Sequence, residues 1–186
     1  SKIEYDLKFV CFDVQNWIGN GNLIPAGPLR EKLNSLKKYN GVFLKNNNGI
    51  NTNSIIQSIK MHNSEIEIFE TFVKPINHEK FNLSDNFLIF SGIGNPDSFK
   101  QLLLKEKFRI LDEIIFPDHY KYTLKDINYI KNKALKLNAK IITTEKDYKK
   151  ISKIDSKNID FIEIDLKIEE ETKLINFIKN KINEKN

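Results

Sequence analysis

The strongest constraint on the fold is a regular alternation of strand-like and helix-like segments in the second half of the chain. Three short apolar runs have the length and composition of strands, at 87–91, 109–116 and 140–144. Each is followed by a segment that we expect to be helical, at 96–105, 123–137 and 147–152. Strands that alternate with helices are joined by crossovers and form mainly parallel sheets. The sequence therefore predicts an α/β fold in which helices flank a mainly parallel sheet.

Two of these helices begin at strong capping residues. Asn95 precedes Pro96, and asparagine is favoured as an N-cap while proline is favoured at the first helical position. Thr123 precedes the second helix, and Asp126 stands where the acid of a capping box would be. We therefore expect these two helices to start where the sequence places them.

The other segments carry weaker signals. We predict further elements at 7–13 (a strand buried on both faces), 29–39 (helix), 41–44 (short strand), 160–166 (edge strand) and 170–182 (helix). The stretch 66–76 looks extended. We therefore expect an extended linker at 66–80 between an N-terminal unit, 1–65, and a C-terminal α/β domain, 81–186.

Composition limits the classes of partner. The net charge of +5 favours anionic partners such as phosphate groups or acidic lipid surfaces, although abundant lysine, asparagine and isoleucine also fit a compositional bias of the genome. Arg30 and Arg109 are the only arginines, so we expect no nucleic-acid partner. No apolar stretch reaches the roughly 18 residues of a spanning helix. Cys11 is the only cysteine, and its apolar surroundings predict a core residue.

Three unusual polar segments directly follow predicted strands, at Gly92–Pro96, Phe116–Tyr120 and Thr143–Asp147. Ligands of open α/β sheets bind beyond the carboxyl ends of the strands, so the three segments predict one shared site. Each also has a purely structural interpretation. The glycines would serve a tight turn, Asp118 and His119 would be a helix-entry acid and a surface histidine, and the third segment would cap a helix.

A fourth segment, Gly19–Glu31, holds three glycines and two prolines, so its backbone path is tightly prescribed. It ends in an adjacent Arg30–Glu31 pair. Arginine binds a phosphate through two hydrogen bonds, and a neighbouring glutamate is suited to hold Mg²⁺ or to orient the arginine. The alternative is an ion pair on the surface of a helix's first turn.

Together, these four segments resemble the tetraacyldisaccharide 4'-kinase family, the lipid A 4'-kinases. The first follows the family pattern G-N-G-x-L-x-P-A-G-P-L-R-E, and the others read G-I-G-N-P, F-P-D-H-Y and T-T-E-K-D in the family's order. The resemblance implies transfer of the ATP γ-phosphate to the 4'-hydroxyl of a tetraacyldisaccharide 1-phosphate, which gives lipid IVA. It further implies Mg²⁺ as a cofactor and a cytoplasmic location, peripheral to the bacterial inner membrane and its anionic surface.

The resemblance also assigns residues. It implies that His119 activates the attacking hydroxyl as a catalytic residue and that Asp118 orients it. It places Asn20, Arg30 and Glu31 at positions that bind substrate or phosphate, with Glu31 as a candidate metal ligand. A histidine is a suitable proton acceptor near neutral pH, and phosphoryl transfer depends mainly on positioning and charge stabilisation.

The sequence also departs from the family. It contains no G-x-x-x-x-G-K-[S/T] phosphate loop and no D-D-x-x-Q-H segment, so no residue is assigned to ATP, and the aspartate partner of the histidine is not found. We therefore expect a C-terminal portion in which 1–65 is a remnant of the P-loop domain. Such a chain would be inactive without a separate P-loop polypeptide and would aggregate through the exposed edge of the strand at 7–13. The alternative is a non-catalytic module that binds anionic glycolipid.

Overall fold

The computed structural model describes residues 5–151 and 153–183. Along this part of the chain the elements are β1 (Phe9–Asp13), a 3-10 helix (Leu33–Lys38), β2 (Gly41–Lys45), α1 (Asn53–His62), β3 (Glu67–Pro75), a 3-10 turn (His78–Lys80), β4 (Asn86–Ser91), α2 (Pro96–Lys105), β5 (Arg109–Ile115), α3 (Leu124–Leu137), β6 (Lys140–Thr144), α4 (Glu145–Ile151), β7 (Ile159–Ile162), β8 (Ile164–Ile168) and α5 (Glu171–Asn183). The fold is the α/β class that the sequence predicts, with parallel strands flanked by helices.

The chain forms two compact units with bounds that differ from those expected. Unit 1 comprises 1–73 and 166–186, and unit 2 comprises 74–165. The stretch predicted as a linker is mostly β3, which pairs with β2 from Gly41↔Glu67 to Lys45↔Thr71. Residues from 166 onward, expected in the C-terminal domain, belong to unit 1.

Unit 1 is a four-stranded sheet in the order β1-β2-β3-β8, and its first three strands are parallel. One face buries Val42 and Leu44 in a cluster with Ile55 and Ile59 of α1. Phenylalanine rings of β1, β2 and β3 pack against one another and against α5. Their centroids are 5.1 Å apart for Phe9–Phe43, 5.8 Å for Phe43–Phe69 and 5.7 Å for Phe69–Phe177.

Strand β1 contradicts one expectation about burial. It lies at the edge of the unit 1 sheet, where it pairs with β2 on one side, and four of its residues are only half-buried. Cys11 is exposed, so the prediction of a core cysteine is wrong. The apolar run at 7–13 indicated a strand correctly but could not distinguish a central strand from an edge strand. Partial burial nevertheless raises the pKa of the Cys11 thiol above its ordinary value.

Unit 2 is a fully parallel sheet in the order β5-β4-β6-β7. The chain steps from β4 to β5 on one side and then crosses to β6 on the other, so the winding reverses at β4. In this central strand Phe87, Leu88, Ile89 and Phe90 are all 0% exposed. Leu88 and Phe90 pack in the cluster that includes α3, and Phe87 and Ile89 in the cluster that includes α2. Helices therefore cover both faces.

The caps that the sequence predicts are present. The Asn95 side chain accepts a hydrogen bond of 3.1 Å from the Ser98 amide at the start of α2. Thr123 and Asp126 form a reciprocal capping box at the start of α3. Both helices thus begin where their polar residues satisfy otherwise unpaired backbone amides.

Three predicted elements differ from the structure. The helix predicted at 29–39 is only the 3-10 helix at Leu33–Lys38, because Leu29 exchanges backbone hydrogen bonds with the preceding loop. The single edge strand predicted at 160–166 is two strands, β7 and β8, which belong to different sheets. Helix α1 had no counterpart in the sequence prediction. None of the helices in the described residues combines the length and apolarity needed to cross a membrane.

Candidate functional site

The carboxyl edge of the unit 2 sheet brings together the three polar segments that follow β4, β5 and β6. The Phe116 amide donates to the Ser91 carbonyl oxygen over 2.8 Å, which joins the segments after β5 and β4. The Gly92 amide donates to Asp147 Oδ2 over 2.8 Å, which joins the segments after β4 and β6. This is the edge at which the winding reverses, where open α/β sheets hold their ligands. The three segments therefore meet at one edge of the unit 2 sheet and form its candidate site.

Gly92 and Gly94 allow these segments to approach closely. A Cβ atom at Gly92 would lie 2.9 Å from the Tyr122 hydroxyl oxygen and 3.2 Å from the Pro117 carbonyl oxygen. A Cβ atom at Gly94 would lie 3.4 Å from Asp118 Oδ2. The first two distances are shorter than ordinary contacts of a side-chain carbon, so a side chain at Gly92 would push the neighbouring segment away. The two glycines therefore allow the segments after β4 and β5 to pack closely, in addition to forming a turn.

Asp118, His119 and Lys146 form the charged cluster of this edge. The His119 amide donates to Asp118 Oδ1 over 2.9 Å, and His119 Nε2 lies 3.8 Å from Asp118 Oδ2. Lys146 Nζ lies 3.5 Å from Asp118 Oδ1. His119 has a left-handed backbone with φ of 60°, and its side chain is 77% exposed. The imidazole is therefore accessible to a ligand and lies beside a carboxylate.

Asp118 has a pKa below its ordinary value. Partial burial alone would raise this pKa, but the His119 backbone amide and the positive charges of His119 and Lys146 oppose and exceed that effect. At neutral pH the Asp118 side chain is consequently an anion. An anion at this position restricts the orientation of the neighbouring imidazole ring.

In unit 1, the loop Gly19–Glu31 is held largely by its own backbone. The Gly27 amide donates to the Leu23 carbonyl, and the Leu29 amide donates to the Asn22 carbonyl. Both ends of the Asn20 side chain bond within the loop: Nδ2 donates to the Ala26 carbonyl over 2.8 Å and Oδ1 accepts from the Asn22 amide over 3.1 Å. The structure thus gives Asn20 a role in shaping the loop.

Arg30 and Glu31 are the last two residues of this loop; both are exposed and precede the 3-10 helix. The sequence had placed both residues on the first turn of a helix, and the structure places them before the 3-10 helix that begins at Leu33. Both line a pocket of about 350 Å³, together with Asp13 and Trp17. Asp13 forms an ion pair of 3.1 Å with Lys45. Unit 1 therefore has a concave surface that carries the arginine predicted to bind phosphate.

The donors in unit 1 fit a magnesium ion only in part. The described residues contain no group of three or more His, Cys, Asp or Glu side chains that could enclose a metal ion. Magnesium usually keeps several waters and is held by one or two carboxylates together with substrate phosphates. Glu31, in a pocket that also contains Asp13, fits such a single-carboxylate role. No residue of the chain is assigned to the ATP phosphates, since the sequence lacks the phosphate loop.

The sequence prediction missed two features of the unit 2 site. It identified Thr143–Asp147 as a segment but gave Lys146 and Asp147 no separate roles. Lys146 is exposed and pairs with Asp118, whereas Asp147 is buried and accepts a hydrogen bond from the Gly92 amide. It also gave no role to Tyr122, whose buried hydroxyl lies against Gly92. These contacts depend on the order of strands in the sheet, which the local sequence does not encode.

Comparison with known proteins shows which family the chain is similar to. A model of the family described as tetraacyldisaccharide-1-P 4'-kinase matches residues 1–183. The tetraacyldisaccharide 4'-kinase of Pelagibacter ubique (strain HTCC1062) is 44% identical over 186 residues, which are 100% of this chain and 59% of that protein. That of Rickettsia bellii (strain OSU 85-389) is 38% identical over 157 residues, 83% of this chain and 46% of that protein.

A solved structure shares the fold. The crystal structure of the "apo" form of LpxK from Aquifex aeolicus in complex with ATP superposes with a TM-score of 0.61 at 20% identity, and the match covers 96% of this chain and 53% of that one. At this identity the likeness concerns the fold alone. The chain thus spans about half to three-fifths of the length of these proteins.

Proposed function

The chain belongs to the tetraacyldisaccharide-1-P 4'-kinase family, and from this premise we propose that it forms the part of such an enzyme that activates the acceptor hydroxyl. The reaction would transfer the γ-phosphate of ATP to the 4'-hydroxyl of a tetraacyldisaccharide 1-phosphate and give lipid IVA. The observation that carries the proposal is the convergence of three family segments at one sheet edge, where Asp118 lies between His119 and Lys146.

The residues have distinct roles in this proposal. His119 accepts the proton of the attacking hydroxyl, and the ionised Asp118 beside it orients the imidazole. Arg30 binds a phosphate group through its planar fork of donors. Glu31 is the candidate ligand for Mg²⁺, which when bound would neutralise charge on the phosphate oxygens. Asn20 keeps the loop in the shape that presents Arg30.

We further propose that catalysis requires a P-loop polypeptide, because the sequence of 186 residues contains no G-x-x-x-x-G-K-[S/T] motif. The substrate is a lipid, and the net charge of +5 is suited to the anionic surface of the cytoplasmic leaflet. This supports a peripheral location at the inner membrane.

The second candidate function, a non-catalytic module that binds anionic glycolipid, is favoured by the same charge and by the pocket that Arg30 lines.

The proposal can be tested with the 186-residue chain and with a chimera. In the chimera this chain replaces the matching region of the Pelagibacter ubique enzyme, to which it is 44% identical. We expect the chimera, but not the isolated chain, to transfer radiolabelled phosphate from ATP to tetraacyldisaccharide 1-phosphate. Activity of the isolated chain would contradict the need for a P-loop partner.

A folded but inactive chimera would contradict the kinase proposal. Binding of the isolated chain to vesicles then distinguishes the second candidate. A glycolipid-binding module binds vesicles that contain the disaccharide 1-phosphate and releases them as salt is raised. Vesicles of phosphatidylcholine alone are the control, and no binding at low ionic strength excludes this candidate.

A further inference from the structure

Unit 2 contains a fully buried acid to which the proposed reaction gives no role. Asp147 is 0% exposed. Its Oδ2 accepts hydrogen bonds from the Gly92 amide over 2.8 Å and from Thr144 Oγ1 over 2.9 Å. Its Oδ1 lies 2.8 Å from Lys150 Nζ, whose side chain is 27% exposed. The carboxylate thus has a positive partner and two further donors, as a buried charge requires.

These contacts link Asp147 to the segment that carries His119. Gly92, which it holds, lies directly against the Pro117 carbonyl oxygen and the Tyr122 hydroxyl. Pro117 precedes Asp118 and His119, and Tyr122 follows three residues after His119. The residues that contact Gly92, Pro117 and Tyr122, thus lie on either side of His119 in the sequence.

Tyr122, in the same segment, lies beside Lys150, the cation that pairs with the buried carboxylate. Burial, and then the negative charge of Asp147, raise the pKa of Tyr122 above its ordinary value, so its hydroxyl remains protonated beside the carboxylate. Lys150 lies 5.7 Å from the centre of the Tyr122 ring. That ring in turn packs edge-on against Phe116 at 5.1 Å and Tyr120 at 5.3 Å. Asp147 and its partner cation thus support the aromatic residues on both sides of His119.

A structural role alone would not require a charge at this position. A buried ion pair contributes little net stability compared with an apolar group of the same shape. A carboxylate does, however, fix the direction of several donors at once, since each charge-assisted hydrogen bond is short and strongly directional. Here the donors come from the ends of β4 and β6, the two strands between which the winding reverses.

We propose that Asp147 is a positioning residue: its buried carboxylate fixes the Gly92 turn against the Pro117–Tyr122 segment and so orients the His119 imidazole toward the acceptor hydroxyl. The inference rests on the proposed kinase function. It predicts that loss of the charge reduces the rate of the chemical step more than substrate binding. A displacement of about 1 Å at a reacting group costs on the order of 100-fold in rate.

The test is Asp147→Asn in the active chimera, a change that keeps the side-chain volume but places amide donors among the donors that face it. We expect kcat to fall about 10- to 100-fold while KM for the disaccharide changes less than about two-fold. In the isolated chain, we expect hydrogen exchange of the Gly92 amide to become faster, with exchange of the Leu88 amide in the centre of β4 unchanged.

Two further variants make the result interpretable. Glu113→Gln is the matched control, because Glu113 is another acid of unit 2 that is paired with a lysine, Lys100 at 2.9 Å, and is only 14% exposed. It lies within β5, before the segment that begins at Phe116. This variant should leave kcat unchanged.

If Asp147→Asn does not fold, Thr144→Val removes one donor to the same carboxylate and keeps its charge. We expect it to lower kcat about three- to ten-fold with KM unchanged.

The outcomes separate this inference from the proposed function. An inactive parent chimera overturns the proposed function and the inference with it. An active parent whose folded Asp147→Asn form keeps its kcat, or loses it no more than Glu113→Gln does, overturns the inference alone. If Thr144→Val is used because Asp147→Asn does not fold, an unchanged kcat likewise overturns the inference alone. A fall in kcat with constant KM and faster Gly92 exchange supports the inference.

Discussion

The two units organise their candidate functional residues in different ways. In unit 2 the residues lie at the end of a sheet whose central strand is covered by helices on both faces, and hydrogen bonds between segments hold them together. In unit 1, Arg30 and Glu31 end a loop that is stabilised by its own backbone, beside a half-buried edge strand. The difference indicates that the unit 2 site is fixed by the core, whereas the unit 1 site is fixed locally.

The largest expected effect on stability comes from truncating a side chain in the central strand of unit 2, compared with a truncation in the edge strand of unit 1. Ile89→Ala in β4 removes a side chain that is 0% exposed, so we expect a loss of about 2–5 kcal/mol in the free energy of unfolding. Val10→Ala in β1 truncates a half-buried residue of the edge strand and should cost about 1 kcal/mol or less. Denaturant unfolding monitored by circular dichroism measures both. Equal losses would contradict the proposed difference between the units.

The same difference explains how much of the structure could be predicted from sequence. In unit 2 each strand is a short apolar run, and Asn95 and Thr123 mark the helix starts, so local signals agree with the fold. In unit 1 the glycines and prolines of Gly19–Pro28 indicate an irregular loop but not where it ends. The prediction therefore extended a helix back to Leu29, a residue that bonds to that loop.

Other errors have the same origin in contacts that are distant in sequence. The alternating pattern at 160–166 is shared by β7 and β8, so it cannot show that the chain changes sheets at Glu163. Cys11 lies in an apolar run that is equally compatible with a central or an edge strand. In the site, the sequence predicted that three segments meet, because the carboxyl ends of parallel strands share an edge. It could not predict which side chains touch.

Acid should reduce the stability of unit 2 through its capping carboxylate. Hydrogen bonds from the Thr123 hydroxyl and then from the Thr123 amide lower the pKa of Asp126 below its ordinary value. Because the folded pKa is the lower one, this contribution is complete above about pH 4 and is lost as the pH falls through the folded pKa. Asp126→Asn should therefore cost about 0.5–1 kcal/mol at pH 7 and almost nothing below the folded pKa.

Thermal unfolding of the parent and Asp126→Asn at pH 7 and at about pH 2.5 checks this expectation. A difference between the two proteins that is as large in acid as at neutral pH would show that the carboxylate charge contributes nothing to the cap. Asp97→Asn in the first turn of α2 is a suitable control, since Asn95, not Asp97, caps that helix.

The most direct test of the account is the kcat of His119→Ala in the active chimera, measured beside His62→Ala. His62 is the last residue of α1 in unit 1 and belongs to none of the four family segments. A proton acceptor contributes about 100- to 10,000-fold to a reaction rate, so His119→Ala should lower kcat by that factor while His62→Ala retains the parent rate. Equal activity of the two variants, both folded, would contradict the assignment of the unit 2 edge as the site that activates the hydroxyl.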